Sequence, residues 1–123
     1  KKTLCSEQFI SGTGFENNFN KKYKTNFTSK QIAELEIKND HRAKKEFDLY
    51  EDRFARLISV MIGIFDPEAI ILGGGMSNVK RLYENLPSLI SKYTFSDKVR
   101  NKILKNYHGD SSGVRGAAWL WNN

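Results

Sequence analysis

An apolar run, Ile70-Ile71-Leu72, passes directly into Gly73-Gly74-Gly75, and Ser77 follows where it could cap a helix beginning near Asn78. Three consecutive glycines remove every Cβ from the turn, so a ligand can approach the backbone itself. The helix start behind the turn offers unpaired N–H groups and the positive end of a dipole. In open α/β sheets ligands sit beyond the carboxyl ends of strands. A nucleotide at this turn is one reading, and a tight strand-to-helix turn with no ligand is the other; the pattern is neither a Walker loop nor a dinucleotide fingerprint. A second polar stretch, His108-Gly109-Asp110-Ser111-Ser112-Gly113, holds His, Asp and Ser in one loop. A catalytic triad is built across separated elements, so Asp110, Ser111 and Ser112 read as capping and turn-forming residues. His108 as an acid or base is the minor alternative. Cys5 and Glu7 lie two apart near the start of the chain. A lone cysteine is more often a small packed residue than a ligand. A zinc site takes about four ligands, and Cys5, His41 and His108 show no metal spacing.

The elements that must position these residues alternate. A short helix is expected in residues 5–20, followed by Ser11-Gly12-Thr13-Gly14, whose glycines permit a turn or a close backbone approach. Thr28 and Gln31 have the spacing of a capping box, with a short helix expected through Glu36. The clearest helix covers residues 43–65, where Phe47, Tyr50, Phe54, Leu57, Ile58, Met61, Ile62 and Phe65 recur at helical spacing, a stripe better suited to core than to a cofactor. Asp66-Pro67-Glu68 breaks it, and Ala69–Leu72 reads as a buried strand. The helix after the glycines carries Leu82, Tyr83, Leu86, Leu89, Ile90 and Tyr93 on its apolar face, with a kink or restart expected at Pro87. Residues 102–107 read as a second strand. Residues 114–121 read as a last helix whose Gly116, Ala117 and Ala118 allow close packing. This order argues for an α/β fold.

The chain has 123 residues, enough for one domain or one lobe of a larger protein. It starts Lys1-Lys2-Thr3, which suggests a truncated or processed start. No apolar run approaches the roughly 20 residues that cross a bilayer, and charged residues interrupt any leader-like run at the start. A soluble protein is expected. The single cysteine excludes an internal disulfide and fits a reducing cytoplasm. The net charge of +6 is spread over several segments, denser near Lys21 to Lys24 and in residues 92–105. Neither stretch holds a DNA-reading motif, so a solvated lysine-rich surface is the simpler account, and nucleic acid is not an expected partner.

Three blocks carry a family resemblance. Cys5-Ser6-Glu7 through Ser11-Gly12-Thr13-Gly14-Phe15 resembles the Cys-x-Glu…Ser-Gly stretch of ROK sugar kinases. Asp66-Pro67-Glu68-Ala69-Ile70-Ile71-Leu72-Gly73-Gly74-Gly75-Met76-Ser77 resembles the family's Asp-Pro strand and glycine turn. Residues 108–121 resemble the C-terminal segment of its fructokinase and mannokinase branch. The blocks occur in family order across nearly the whole chain. The resemblance implies an α/β actin-like, hexokinase-type (ribonuclease H-like) ATPase fold, of which residues 1–123 form part of the C-terminal lobe, without the N-terminal lobe. It implies ATP with Mg2+, a hexose substrate such as fructose or mannose phosphorylated at the 6-position, and a homodimeric, cytoplasmic parent enzyme. By position, Glu7 matches the glutamate that binds sugar hydroxyls, a task suited to a carboxylate that can accept from two of them. Gly73, Gly74 and Gly75 match the turn facing the nucleoside, and Gly12 is a further candidate beside the nucleotide. Cys5 matches the last cysteine of a structural Zn2+ motif of one His and three Cys, although Leu4 stands where the family has Gly.

The family's Asp-x-Gly-Gly-Thr phosphate loop, its second phosphate loop, its Glu-x-Gly-His sugar motif and its catalytic aspartate are not found in these residues. The isolated chain is therefore expected to be inactive. A sugar-sensing repressor of the same family, with an added helix-turn-helix, is the alternative, and a ligand-free structural fragment is the third. The long apolar helix and short strand expect partners, so poor stability is expected of the isolated chain.

Overall fold

A computed structural model of the protein describes residues 7–94, 100–109 and 112–120. Four helices come first: α1 (Glu7–Ile10), α2 (Gly12–Tyr23), α3 (Ser29–Ile37) and α4 (His41–Phe65). Strand β1 (Ala69–Leu72), a 3-10 turn (Gly75–Asn78), α5 (Lys80–Ser91), β2 (Lys102–Lys105) and α6 (Ser112–Trp119) complete the order.

The expected glycine turn after α1 is smaller than the sequence suggests. Only Ser11 interrupts the helices, and its Oγ accepts a hydrogen bond from the Gly14 amide at 2.9 Å, capping α2. Gly12 and Gly14 lie in the first turn of α2, where amides lack intrahelical partners and glycine is least costly. Gly14 serves the close approach: a Cβ there would sit 2.4 Å from the Gln8 carbonyl oxygen. Gly14→Ala is therefore expected to push α1 off α2 at a cost of about 1–3 kcal/mol. Gly12→Ala, whose Cβ would meet Met76 Cγ at 3.5 Å, is expected to be neutral. Paired thermal melts of the two variants check this.

The turn between α2 and α3 is tied by Asn20. Its side chain donates to the Phe27 carbonyl at 2.8 Å and accepts from the Phe27 amide at 2.8 Å. The capping box forms as expected: the Thr28 amide donates to Gln31 Oε1 at 2.9 Å, and Gln31 N donates to Thr28 Oγ1 at 3.3 Å. The long helix begins two residues before the expected position because Asp40 caps it, accepting from the Arg42 and Ala43 amides. Hydrogen bonding from the Arg42 guanidinium, with help from those amides, holds the Asp40 carboxyl down at about 2. Asp66 closes α4 in the left-handed conformation at φ 42°.

Phe15, Phe19, Ile32, Ala43, Phe47, Tyr50, Ala55 and Ile58 form a core with Leu82, Leu86 and Ile90 of α5. Each large side chain buried this way contributes about 1.5–3 kcal/mol. The apolar stripe of α4 is only partly core: Tyr50 and Ile58 are buried, whereas Val60, Met61, Ile64 and Phe65 in its last turns are exposed. The expectation of a buried strand is corrected likewise. Leu72 is buried but Ile71 is 66% exposed, because successive side chains alternate between the two faces of a strand and among the described residues only the Leu72 face is covered; on one edge β1 pairs with β2, running parallel with Ala69 opposite Lys102 and Leu72 opposite Lys105. Helix α5 forms the crossover between them and runs through Pro87 as one helix, so no restart occurs there. Strand β2 stops at Lys105 rather than at residue 107, because Asn106 turns inward. Helix α6 starts at residue 112 rather than 114 and ends at Trp119. Residues 113–120 are exposed, and a Cβ at Gly116 would meet nothing within 4 Å, so the expected close packing of its small residues is not made by the described residues. Among these residues no helix is long and apolar enough to cross a membrane.

Candidate nucleotide-binding turn

Leu72 ends β1 and delivers the chain into Gly73-Gly74-Gly75. Gly74 takes φ 72° and ψ −177°, a region essentially confined to glycine. The turn closes through Ser77, whose amide donates to the Gly74 carbonyl at 3.0 Å and whose Oγ donates to the same oxygen at 2.7 Å. This differs from the expected role of Ser77 as a helix cap. The residues after the turn form a 3-10 turn first, and α5 begins only at Lys80, after Val79, with no side-chain cap. Ser77 commits its hydroxyl to the turn itself, and Tyr83 donates to the Ser77 carbonyl at 2.7 Å.

A Cβ added at Gly74 or at Gly75 would meet nothing within 4 Å. The backbone of the turn is thus open to an incoming group rather than packed. Beside Gly75 lies a groove of about 590 Å³, lined by Ser29, Lys30, Ala33, Glu34 and Ile37 of α3 and by Asn78 and Val79. Its walls are mixed. Ala33, Ile37 and Val79 supply apolar surface, and Ile37 is 76% exposed despite its size. Ser29, Lys30, Glu34 and Asn78 supply polar groups. Such a groove, largely apolar with a few polar groups, suits a flat heterocycle carrying hydrogen-bonding edges.

Of the other elements singled out in the sequence, the turn adjoins the end of α1 and the start of α2. A Cβ on Gly12 would face Met76 and, at 3.7 Å, Ser29 Oγ, so the start of α2 lies between the glycine turn and α3. Gly73 and Ile10 line one cavity of about 270 Å³ with Tyr50 and Ile58, and the Tyr50 hydroxyl donates to the Ile10 carbonyl at 2.7 Å. Burial, and secondarily the charge of Glu51, pushes the Tyr50 phenol above its usual value, so it acts as a hydrogen-bond donor. Glu7 is exposed at the start of α1, three residues from Ile10. His108 follows β2, with its ring edge-on to exposed Tyr107 at 5.1 Å. Cys5, Asp110 and Ser111 lie outside the described residues. Among the described residues no three His, Cys, Asp or Glu side chains gather to hold a metal, so neither Zn2+ nor Mg2+ is assigned to them.

Two features of this candidate site escape a reading of the sequence. One is the α3 wall of the groove; its only trace is an apolar Ile37 off the buried face. The other is Asn106, whose Nδ2 donates to the Leu72 carbonyl at 3.1 Å and to Ser77 Oγ at 3.2 Å. A polar residue ending a strand next to the glycine-bearing strand is its only signature. Arg81, which carries a conspicuous charge cluster, lies elsewhere: it joins Glu36, Asp48 and Glu51 and fastens α3, α4 and α5 together.

The sequence matches the ROK family over residues 1–123. It is 35% identical over 116 residues to an N-acetyl-D-glucosamine kinase of Photobacterium profundum, and 37% identical over 120 residues to one of Vibrio vulnificus. Each comparison covers 94% of this chain and 38% of the relative, so the chain spans well under half the length of these kinases. A ROK family glucokinase from Streptomyces griseus, solved in complex with glucose and AMPPNP, superposes with a TM-score of 0.81 at 20% identity, covering 94% of this chain and 44% of that one. The chain belongs to the ROK family, and its helices and parallel strand pair are part of that family's actin-like, hexokinase-type ATPase fold.

Proposed function

We propose that the chain is part of the C-terminal lobe of an ATP-dependent hexose kinase, in which the glycine turn and the α3 groove receive the nucleoside of ATP. The observation that carries this is the turn itself: Gly74 and Gly75 leave open space above the backbone, directly beside a groove of mixed polarity. Ala33, Ile37 and Val79 would face the base, and Asn78 and Glu34 would meet its polar edges. The open turn lets the ribose approach the backbone without a side chain in the way. ATP supplies the γ-phosphoryl group, and the task of these residues is to orient it. Positioning of this kind dominates phosphoryl transfer, in which the protein does little covalent chemistry. Glu7, exposed at the start of α1, is proposed to accept hydrogen bonds from sugar hydroxyls. The base that takes the proton of the attacking hydroxyl is assigned to a segment outside these 123 residues, which makes the isolated chain inactive in this reading.

The sugar is proposed from the relatives named above. They are N-acetylglucosamine kinases and a glucokinase, and none of these three lends support to fructose or mannose. The test is ADP release by the full-length protein that carries this chain, with N-acetylglucosamine, glucose, mannose and fructose side by side. Turnover is expected, fastest with N-acetylglucosamine or glucose. A folded protein that releases no ADP with any of the four would end the kinase reading.

A further inference from the structure

Asn106 is 9% exposed and lies one residue past β2, yet its backbone and side chain both serve the neighbouring strand's exit. Its amide donates to the Leu72 carbonyl at 3.2 Å, and its Nδ2 donates to the same carbonyl at 3.1 Å. The second Nδ2 proton goes to Ser77 Oγ at 3.2 Å, and that hydroxyl in turn donates to the Gly74 carbonyl at 2.7 Å. The direction of the relay is fixed. Leu72 and Gly74 offer only carbonyl oxygens, so the amide nitrogen must face Leu72 and the Ser77 proton must face Gly74. Asn106 Oδ1, in contrast, is buried with no hydrogen-bond partner among the described residues. An unpaired buried acceptor is costly, so this site uses asparagine for its two donors and carries the oxygen as a penalty.

We propose that Asn106 and Ser77 are positioning residues for the nucleotide: their relay ties the Leu72 carbonyl at the entry of Gly73-Gly74-Gly75 to the Gly74 carbonyl at its middle and holds Gly74 in its glycine-only conformation, ready to receive ATP. This deepens the nucleotide reading of the turn and rests on it. Neither side chain is among the walls of the α3 groove, so their effect passes through the turn. An unclamped turn samples other conformations, and the ATP affinity falls by the fraction of molecules holding the competent one.

The discriminating substitution is Asn106→Asp. It keeps the shape but presents only acceptors to the Leu72 carbonyl and to Ser77 Oγ. In the full-length protein, KM for ATP is expected to rise about tenfold or more, with KM for the hexose and kcat changed less than about twofold. Ser77→Ala cuts the relay at its second atom and is expected to give the same split, which keeps the test alive if Asn106→Asp does not fold. A lowered Tm with KM for ATP within about twofold of wild type, in either folded variant, would overturn the proposal and leave a purely structural role. Wild-type protein that turns over hexose yet holds its nucleotide away from this turn, as seen in a complex with AMPPNP, would overturn the site reading and the relay with it.

Discussion

Replacing Gly74 with alanine is expected to weaken ATP binding by the full-length protein at least about tenfold, although the new methyl group touches nothing. The reason is backbone strain. Gly74 sits at φ 72° and ψ −177°, where an L-residue costs about 1–3 kcal/mol. The open space around it means that a clash cannot be the cause. The turn would relieve the strain by rotating, which moves the Gly74 carbonyl away from the Ser77 amide and hydroxyl that now hold it. Gly73→Ala is the natural control. Its Cβ would lie 3.9 Å from Asn106 Nδ2, an ordinary contact, and its φ is not in the left-handed region. Equal binding by the two variants, measured by calorimetry with AMPPNP, would show that the conformation of Gly74 does not matter to the nucleotide.

A larger loss, in stability rather than binding, is expected from Arg81→Met. The guanidinium donates from Nε and Nη2 to the two oxygens of Glu51 at 2.6 and 3.0 Å, from Nη1 to Glu36 at 2.7 Å, and from Nη2 to Asp48 at 2.6 Å. It also stacks 5.3 Å from the Phe47 ring centre. Burial works against the charge on Arg81, but hydrogen bonds to Glu51 and Asp48 and the charges of Glu51 and Glu36 outweigh it and hold the group above its usual value. Glu51 is only 2% exposed. Among the described residues its remaining side-chain partner would be Asn85, which donates at 2.9 Å. Removing the arginine strands a buried carboxylate, at a cost of about 3–5 kcal/mol. Pairing Arg81→Met with Glu51→Met removes the stranded charge, so the double variant is expected to be more stable than Arg81→Met alone. Denaturant titrations of wild type, both singles and the double check this, and strictly additive losses would contradict it.

The features most legible in the sequence were those set by local chemistry. Thr28 and Gln31 form a capping box because the two side chains satisfy each other's backbone donors wherever that spacing occurs. Residues 69–72 form a strand because a short β-branched run between Pro67 and three glycines has no better option. Features set by distant partners were harder to read. The α4 stripe continues to Phe65 in the sequence, but its burial depends on what packs against it, and the last turns meet no covering element among the described residues. Asn106 could not be recognised, since its meaning comes from Leu72 and Ser77, 34 and 29 residues away in sequence. Ser77 has the right type for a helix cap, and the competing carbonyl of Gly74 took its proton instead. The glycine turn was visible because three glycines in a row restrict the possibilities at once. The groove beside it was not, because α3 supplies one wall from more than 35 residues earlier in the chain.

The central claim, that the nucleoside of ATP lies between the glycine turn and α3, is tested most directly by photolabelling. The full-length protein is irradiated with azido-ATP, digested, and the labelled peptides are sequenced. Adducts within residues 29–37 or 73–79, suppressed by excess AMPPNP, are the expected result. Competable labelling confined to other segments would contradict it.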